Sequence, residues 1–187
     1  MRHRLTVTHV SDPGCPWAYS AAPALATLMW RYGDQIDWQH VMIGLAEDGA
    51  LYEQRGYSGR GMAVAYRDFR ERGMPFSTVP RATLHGTWPM CRVVVAARRL
   101  APEAEWAVFR GLQFAQFTTT LDLSSDDGLL EAVAAVPGVD AEALIAAAHD
   151  DQTETLFAED RALARTAAGS PTEMQGKHAV TREGEVR

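Results

Sequence analysis

"VSDPGCPWAYSAAPAL" runs from Val10 to Leu25 and sets one cysteine, Cys15, between an Asp-Pro-Gly turn and a segment with helical spacing. Upstream, "LTVTHV" (Leu5 to Val10) alternates apolar and polar residues and is rich in Thr and Val, which predicts a strand. Ser11-Asp12-Pro13-Gly14 is turn chemistry. From Cys15 to Tyr32 the period becomes helical, with Leu25, Leu28, Met29 and Tyr32 three and four apart. Pro16 suits a first helical turn, where a missing N–H costs nothing. Pro23 kinks the helix or splits it in two, and Gly33 ends it. "IDWQHVMIGL" (Ile36 to Leu45) predicts a second strand. Strand, helix and strand in that order make a βαβ unit, with parallel strands and a right-handed crossover.

A cysteine at a helix start meets unpaired backbone N–H groups and the positive end of the helix dipole. There a thiolate is stabilised, and its pKa is expected below the free value of about 8.5. The flanking prolines stiffen the turn, and Trp17 offers a flat apolar wall. Cys15 is therefore the candidate nucleophile; the competing reading is a small buried hydrophobe near a helix start. His9 and Asp12 flank the turn and are candidates to tune Cys15, an imidazolium favouring thiolate and a carboxylate opposing it. Asp12 equally suits a turn residue that bonds its own backbone, the preferred reading.

The chain has 187 residues, 47% of them hydrophobic, which suits one globular domain or one domain with an insertion. A net charge of −6 argues against nucleic acid as a partner. Arg67, Arg70 and Arg72 read as a solvated helix face rather than a phosphate clamp. "MRHRLTVTHV" is no apolar export segment, and no run reaches the roughly 18 apolar residues of a membrane span. A soluble cytoplasmic protein without a membrane partner is expected. Cys15 and Cys91 cannot build a disulfide framework, and both should stay reduced in the cytosol. No HExxH or CxxC spacing is present, so no metal site is expected.

From Ala46 to Met74 the sequence is Gly-, Arg- and Tyr-rich, which predicts loop and short helix. "MCRVVVAARRL" (Met90 to Leu100) and Glu103 to Phe117 predict helices. Ser124 with Asp127 resembles a capping box before "GLLEAVAAV". Asp140 predicts an N-cap, and a last helix is expected to reach Ala168 before Gly169. Cys91 reads as a helix cysteine packed near Val94 and Val95, the alternative being a redox partner for Cys15. The tail "GSPTEMQGKHAVTREGEVR" is polar and turn-rich. A two-stranded βαβ unit is not stable alone, so more strands must come from this tail or from beyond Arg187.

"SDPGCPWAYS" resembles the active-site segment of the DsbA-like branch of the thioredoxin superfamily, and is most similar to the cytoplasmic FrnE-type proteins, whose motif is commonly Cys-Pro-Trp-Cys. Kappa-class glutathione transferases and 2-hydroxychromene-2-carboxylate isomerases share that architecture, with serine where Cys15 stands. The resemblance implies an α/β protein: a thioredoxin-like fold with a large all-helical insertion. Residues 1–45 would be the first β-α-β half, 46–168 the helical insertion, and 169–187 a return segment, with the C-terminal strands missing or incomplete. It implies Cys15 as the catalytic residue, with Pro16, Trp17 and Ala18 beside the substrate or thiol. Pro171 is placed as a candidate cis-proline facing Cys15, against the simpler reading of a loop proline.

Ala18 departs from the family motif by replacing the second cysteine, which would release substrate by attacking the mixed disulfide. The expected function is a single-cysteine disulfide oxidoreductase with no tightly bound cofactor and with glutathione or mycothiol as co-substrate. Expected partners are a small thiol or a disulfide-bearing protein, with a homodimer left open. The alternatives are a thiol-cofactor-dependent isomerase or transferase of the kappa-glutathione-transferase type, and a redox-inactive binding scaffold. Arg60, Arg67 and Arg81 could meet a carboxylate of the thiol; the spacing selects none of them.

Overall fold

The computed structural model describes residues 4–166. Strand β1 (Leu5–Ser11) is followed by a short helix α1 (Pro16–Ser20), helix α2 (Ala22–Tyr32), a single 3-10 turn and strand β2 (Ile36–Met42). Ser20 and Ala22 bound a break that puts Pro23 in the first turn of α2, where its missing donor is not needed. The strands pair in parallel from Leu5↔Ile36 to Ser11↔Met42. β2 is shorter than the sequence predicts, because the chain turns away after Ile43 and Gly44 takes a positive φ of 60°. The sheet and α2 leave Val10, Leu28 and Trp30 exposed among the described residues.

Beyond β2 the described residues form helices and loops with no strand: α3 (Ala50–Gln54), α4 (Gly59–Arg70), α5 (Trp88–Leu100), α6 (Glu105–Thr118), α7 (Asp126–Val133), α8 (Ala141–Ala148) and α9 (Asp151–Ala164). α5 is the axis of the core. Met90, Cys91 and Val93 to Ala97 are all fully buried, so this helix is enclosed on nearly every side. Around them pack Val108, Phe109 and Leu112 of α6, Leu144 of α8 and Phe157 of α9. A second cluster joins the βαβ half to the helices. Tyr19 of α1 is fully buried, stacks on Phe117 at 4.8 Å, and donates its hydroxyl to the Pro75 carbonyl at 3.0 Å.

The caps show where local reading holds and where it slips. Asp140 accepts from the Ala143 N–H as predicted. The cap of α7 is Ser125, not Ser124, because the Ser124 side chain bonds Asp122 while Ser125 accepts from the Gly128 N–H. α9 ends at Ala164, short of the predicted Ala168. The proposed return segment 169–187, with Pro171, lies outside the described residues. No helix among the described residues is long and apolar enough to cross a membrane.

His9 and His40 stand directly opposite one another across the two strands, on the face covered by α6. Their rings meet edge to face at 5.8 Å, and Trp106 lies 5.0 Å from His40. Both ring nitrogens of His40 are buried without a hydrogen-bond partner, and the nearest carboxylate oxygen, on Glu105, is 3.9 Å away. Burial, with smaller contributions from His9 and Arg98, pushes the His40 pKa down to about 4. The folded state therefore holds His40 neutral, while the unfolded chain protonates it near pH 6.5. The stability this provides is present above pH 6.5 and lost as the pH falls toward 4, by about 2 kcal/mol at pH 5. Urea midpoints at pH 7 and pH 5 should show a larger acid loss for the wild type than for His40→Phe. Equal losses would contradict this assignment.

Candidate active site around Cys15

Asp12 organises the turn that carries the cysteine. Its carboxylate is fully buried. Oδ1 accepts from the Gly14 N–H at 2.7 Å. Oδ2 accepts from the Leu45 N–H and the Thr87 hydroxyl, both at 2.8 Å, and from the Cys91 thiol at 3.6 Å. The Asx turn anticipated for this residue is thus one bond of four, and the others reach the loop after β2 and the start of α5. Hydrogen bonds to charged groups contribute roughly 1.5–3 kcal/mol each. Even so, burial dominates and holds the Asp12 carboxyl above the usual carboxylate range. Gly14 is needed by close approach: a Cβ there would lie 2.5 Å from Cγ2 of Thr87. Gly49 is needed likewise, since a Cβ would meet the Leu84 carbonyl oxygen at 1.9 Å.

Cys15 occupies the N-cap position of α1, with Pro16 in the first helical turn. Its N–H donates to the Asp12 carbonyl at 3.1 Å, closing the turn. The backbone amides of Trp17 and Ala18 favour thiolate, as the sequence suggests, although neither donates a cap hydrogen bond to the sulfur. The net direction is nevertheless the reverse of the expected one. Burial pushes the Cys15 thiol above its ordinary value, the Asp12 charge adds to it, and the two amides recover only part. The helix behind Cys15 has five residues, too few for a strong dipole, and α5 and the loop after β2 close over the turn.

The sulfur opens onto a cavity of about 370 Å³. Pro16 and Trp17 form the wall beside Cys15. The facing walls are Tyr52 of α3, Tyr66 of α4, the loop residues Arg81 and His85, and Gln116 and Phe117 of α6. Ala18 acts on Cys15 through its amide and is not part of the lining. Trp17 is more than half exposed, and its ring is held between Phe69 at 4.8 Å and the Arg72 guanidinium at 4.5 Å. Arg70 donates to the Phe76 carbonyl at 2.8 Å. Arg67, Arg70 and Arg72 are all exposed, in keeping with the solvated face read from sequence, and Arg70 and Arg72 also reach Phe76 and Trp17. His9 packs on His40, Trp106 and Phe109, so the structure does not bring it to Cys15. Cys91 is fully buried, its thiol pushed well up by burial and by Asp12. It and Cys15 are both free thiols.

Sequence spacing could not single out Arg55, Tyr52, His85 or Gln116 as cavity residues. They converge from separate segments, with no motif to mark them. Arg81, one of three arginines considered, does line the cavity; Arg60 and Arg67 do not.

No protein-family model matches the sequence, and no curated protein matches it. Solved structures do. The chain superposes on a candidate protein disulfide isomerase from Nitrosomonas europaea with TM-score 0.71 and 16% identity, over 87% of this chain and 78% of that one. It matches the cytosolic disulfide reductase DsbM of Pseudomonas aeruginosa, solved with GSH, with TM-score 0.65 and 25% identity, over 85% and 79%. It matches a 2-hydroxychromene-2-carboxylate isomerase with TM-score 0.56 and 19% identity, over 86% and 79%. The fold is that of the DsbA-like branch of the thioredoxin superfamily, with its helical insertion.

Replacing Asp12 with Asn removes the charge beside Cys15 and turns an amide N–H₂ toward donors that need acceptors. Alkylation of Cys15 in the folded protein should then shift to lower pH, and stability should fall by about 1–3 kcal/mol. An unchanged pH profile for alkylation would contradict the coupling.

Proposed function

We propose that the protein is a single-cysteine thiol–disulfide oxidoreductase acting in the reducing direction on mixed disulfides, with glutathione as the small thiol that regenerates it. The observation that carries this reading is Cys15 lining a cavity where the family motif's second thiol is replaced by Ala18. DsbM, a reductase of this fold solved with GSH, supports the choice of thiol. A soluble, cytoplasmic setting belongs to the same reading.

The direction follows from the sulfur's surroundings. A disulfide oxidant gains its power from a stabilised thiolate in the reduced state. Here burial and Asp12 work against the thiolate, so the disulfide-bonded state of Cys15 is comparatively favoured and the thiol is a reductant. In the first step the Cys15 thiolate attacks the glutathionyl sulfur of a protein–glutathione mixed disulfide. The protein sulfur leaves with the bonding electron pair and takes a proton from water. In the second step a glutathione thiolate attacks the sulfur now bonded to Cys15. Glutathione disulfide forms, and Cys15 leaves as thiolate, a charge the nearby Trp17 and Ala18 amides favour until it is protonated.

Exposure to glutathione disulfide should add one glutathionyl group to Cys15 and none to Cys91, read by intact mass and peptide mapping. Cys15→Ser should abolish both the adduct and turnover of a glutathionylated peptide. No adduct in the pH range where Cys15 alkylates would overturn the proposal. A second reading rests on the raised Cys15 thiol together with the isomerase-like fold: a thiol-dependent isomerase or transferase, in which Cys15 is never oxidised. That activity should survive Cys15→Ser.

A further inference from the structure

The cavity's charge inventory is lopsided. The chain has 24 acidic residues against 18 Lys and Arg, yet none of the side chains lining the cavity is a carboxylate. Two are arginines. Arg81 is spent on its surroundings: it donates to the carbonyls of Gln116 at 2.8 Å and Thr119 at 2.9 Å, and its guanidinium lies 3.2 Å from Nε2 of His85. The Asp122 carboxylate, 2.9 Å from Nδ1 of His85, also acts on the guanidinium, so Arg81 is already engaged and is not the group free to bind a ligand carboxylate. Arg55, between α3 and α4, is exposed at the rim. Among the described residues its guanidinium forms no ion pair.

A second, independent feature sits on the same wall. Gln116 is 8% exposed and lines the cavity, and its side-chain oxygen is buried without a hydrogen-bond partner. Its carboxamide makes no hydrogen bond with any described residue. A buried polar group in that state costs roughly 1–3 kcal/mol. A carboxamide that turns about its last torsion offers a donor and an acceptor together, the complement of a peptide bond.

From these two features we infer that the cavity selects a peptidic thiol carrying a free carboxylate, with Arg55 binding the carboxylate and Gln116 pairing with a peptide amide of the same molecule. The inference rests on the thiol–disulfide reading and deepens it. Uncharged sugar-based thiols such as mycothiol, the other candidate co-substrate, offer Arg55 nothing to bind. Polarity along the cavity fits the same ligand. The negative charge of Asp12 lies behind the turn that holds Cys15, while the positive charges belong to the helical wall. A thiol group directed to Cys15 and a carboxylate to Arg55 match that polarity.

The test compares rates of Cys15 adduct formation with glutathione disulfide, with the same disulfide esterified at its carboxylates, and with cystamine, which has neither carboxylate nor amide. In the wild type the free acid should react about 10-fold faster than the ester, as one charge-assisted bond implies. Arg55→Ala and Arg55→Gln should each lower that ratio by about 5-fold, the range of a solvent-exposed ion pair at low salt. Gln116→Leu should lower the ratio of glutathione disulfide to cystamine. Arg55 is exposed, so its variants should keep the wild-type circular dichroism; the Gln116 effect is read only on variant protein that keeps it. If Cys15 reacts with the acid and the ester equally fast, the inference falls and the oxidoreductase reading stands. If the ratio persists in both Arg55 variants, the assignment of Arg55 is wrong. If Cys15 reacts with none of the three disulfides, both fall together.

Discussion

A buried carboxylate three residues before the cysteine fixes this site. Asp12 gathers donors from its own turn, from the loop after β2 and from the first turn of α5, pieces that sequence separates by up to 79 positions. Without that convergence the end of β1, the cavity wall and the buried central helix would have no common anchor. The cost is a charge in a low-dielectric setting, and four donors together do not cancel it. The same contacts bring Gly14 so close to Thr87 that no side chain fits between them.

The chemistry inherits this constraint. Two nearby backbone amides favour the Cys15 thiolate, yet burial and the neighbouring carboxylate outweigh them. In the proposed function a sulfur in that balance takes a disulfide apart rather than donating one, and, with Ala18 in place of a second thiol, a small thiol entering the cavity releases it. To such a thiol the cavity offers aromatic walls, an exposed guanidinium at the rim and a carboxamide that makes no hydrogen bond with any described residue. Trp17, flanked by Phe69 and Arg72, borders the sulfur on the solvent side.

How much of this could be read from the chain depends on range. The βαβ start, the break at Pro23 and the Asp140 cap follow from near neighbours, and they are legible. The placement of Cys15 between a turn and a helix start was legible too, because those residues are contiguous. The direction of its pKa was not, because burial of the turn is supplied by residues far along the chain, Leu45 and Thr87 among them. His9 looked close to Cys15 in sequence, but strand pairing turns it toward His40 and Trp106 instead. Arg55 and Gln116 carry no motif; only the packing of α3 and α6 around one space makes them neighbours. Arg70 and Arg72 are exposed as the sequence suggests, but their contacts with Phe76 and Trp17 carry no local signal.

The central claim is that the Cys15 sulfur works inward, into the cavity, rather than outward to solvent. A crystal structure of the glutathionylated protein tests it most directly. The account predicts continuous density from Sγ into the cavity, a glycyl or glutamyl carboxylate against Arg55, and a peptide amide paired with Gln116. A glutathionyl group projecting into solvent over Trp17, with the cavity unfilled, would contradict it.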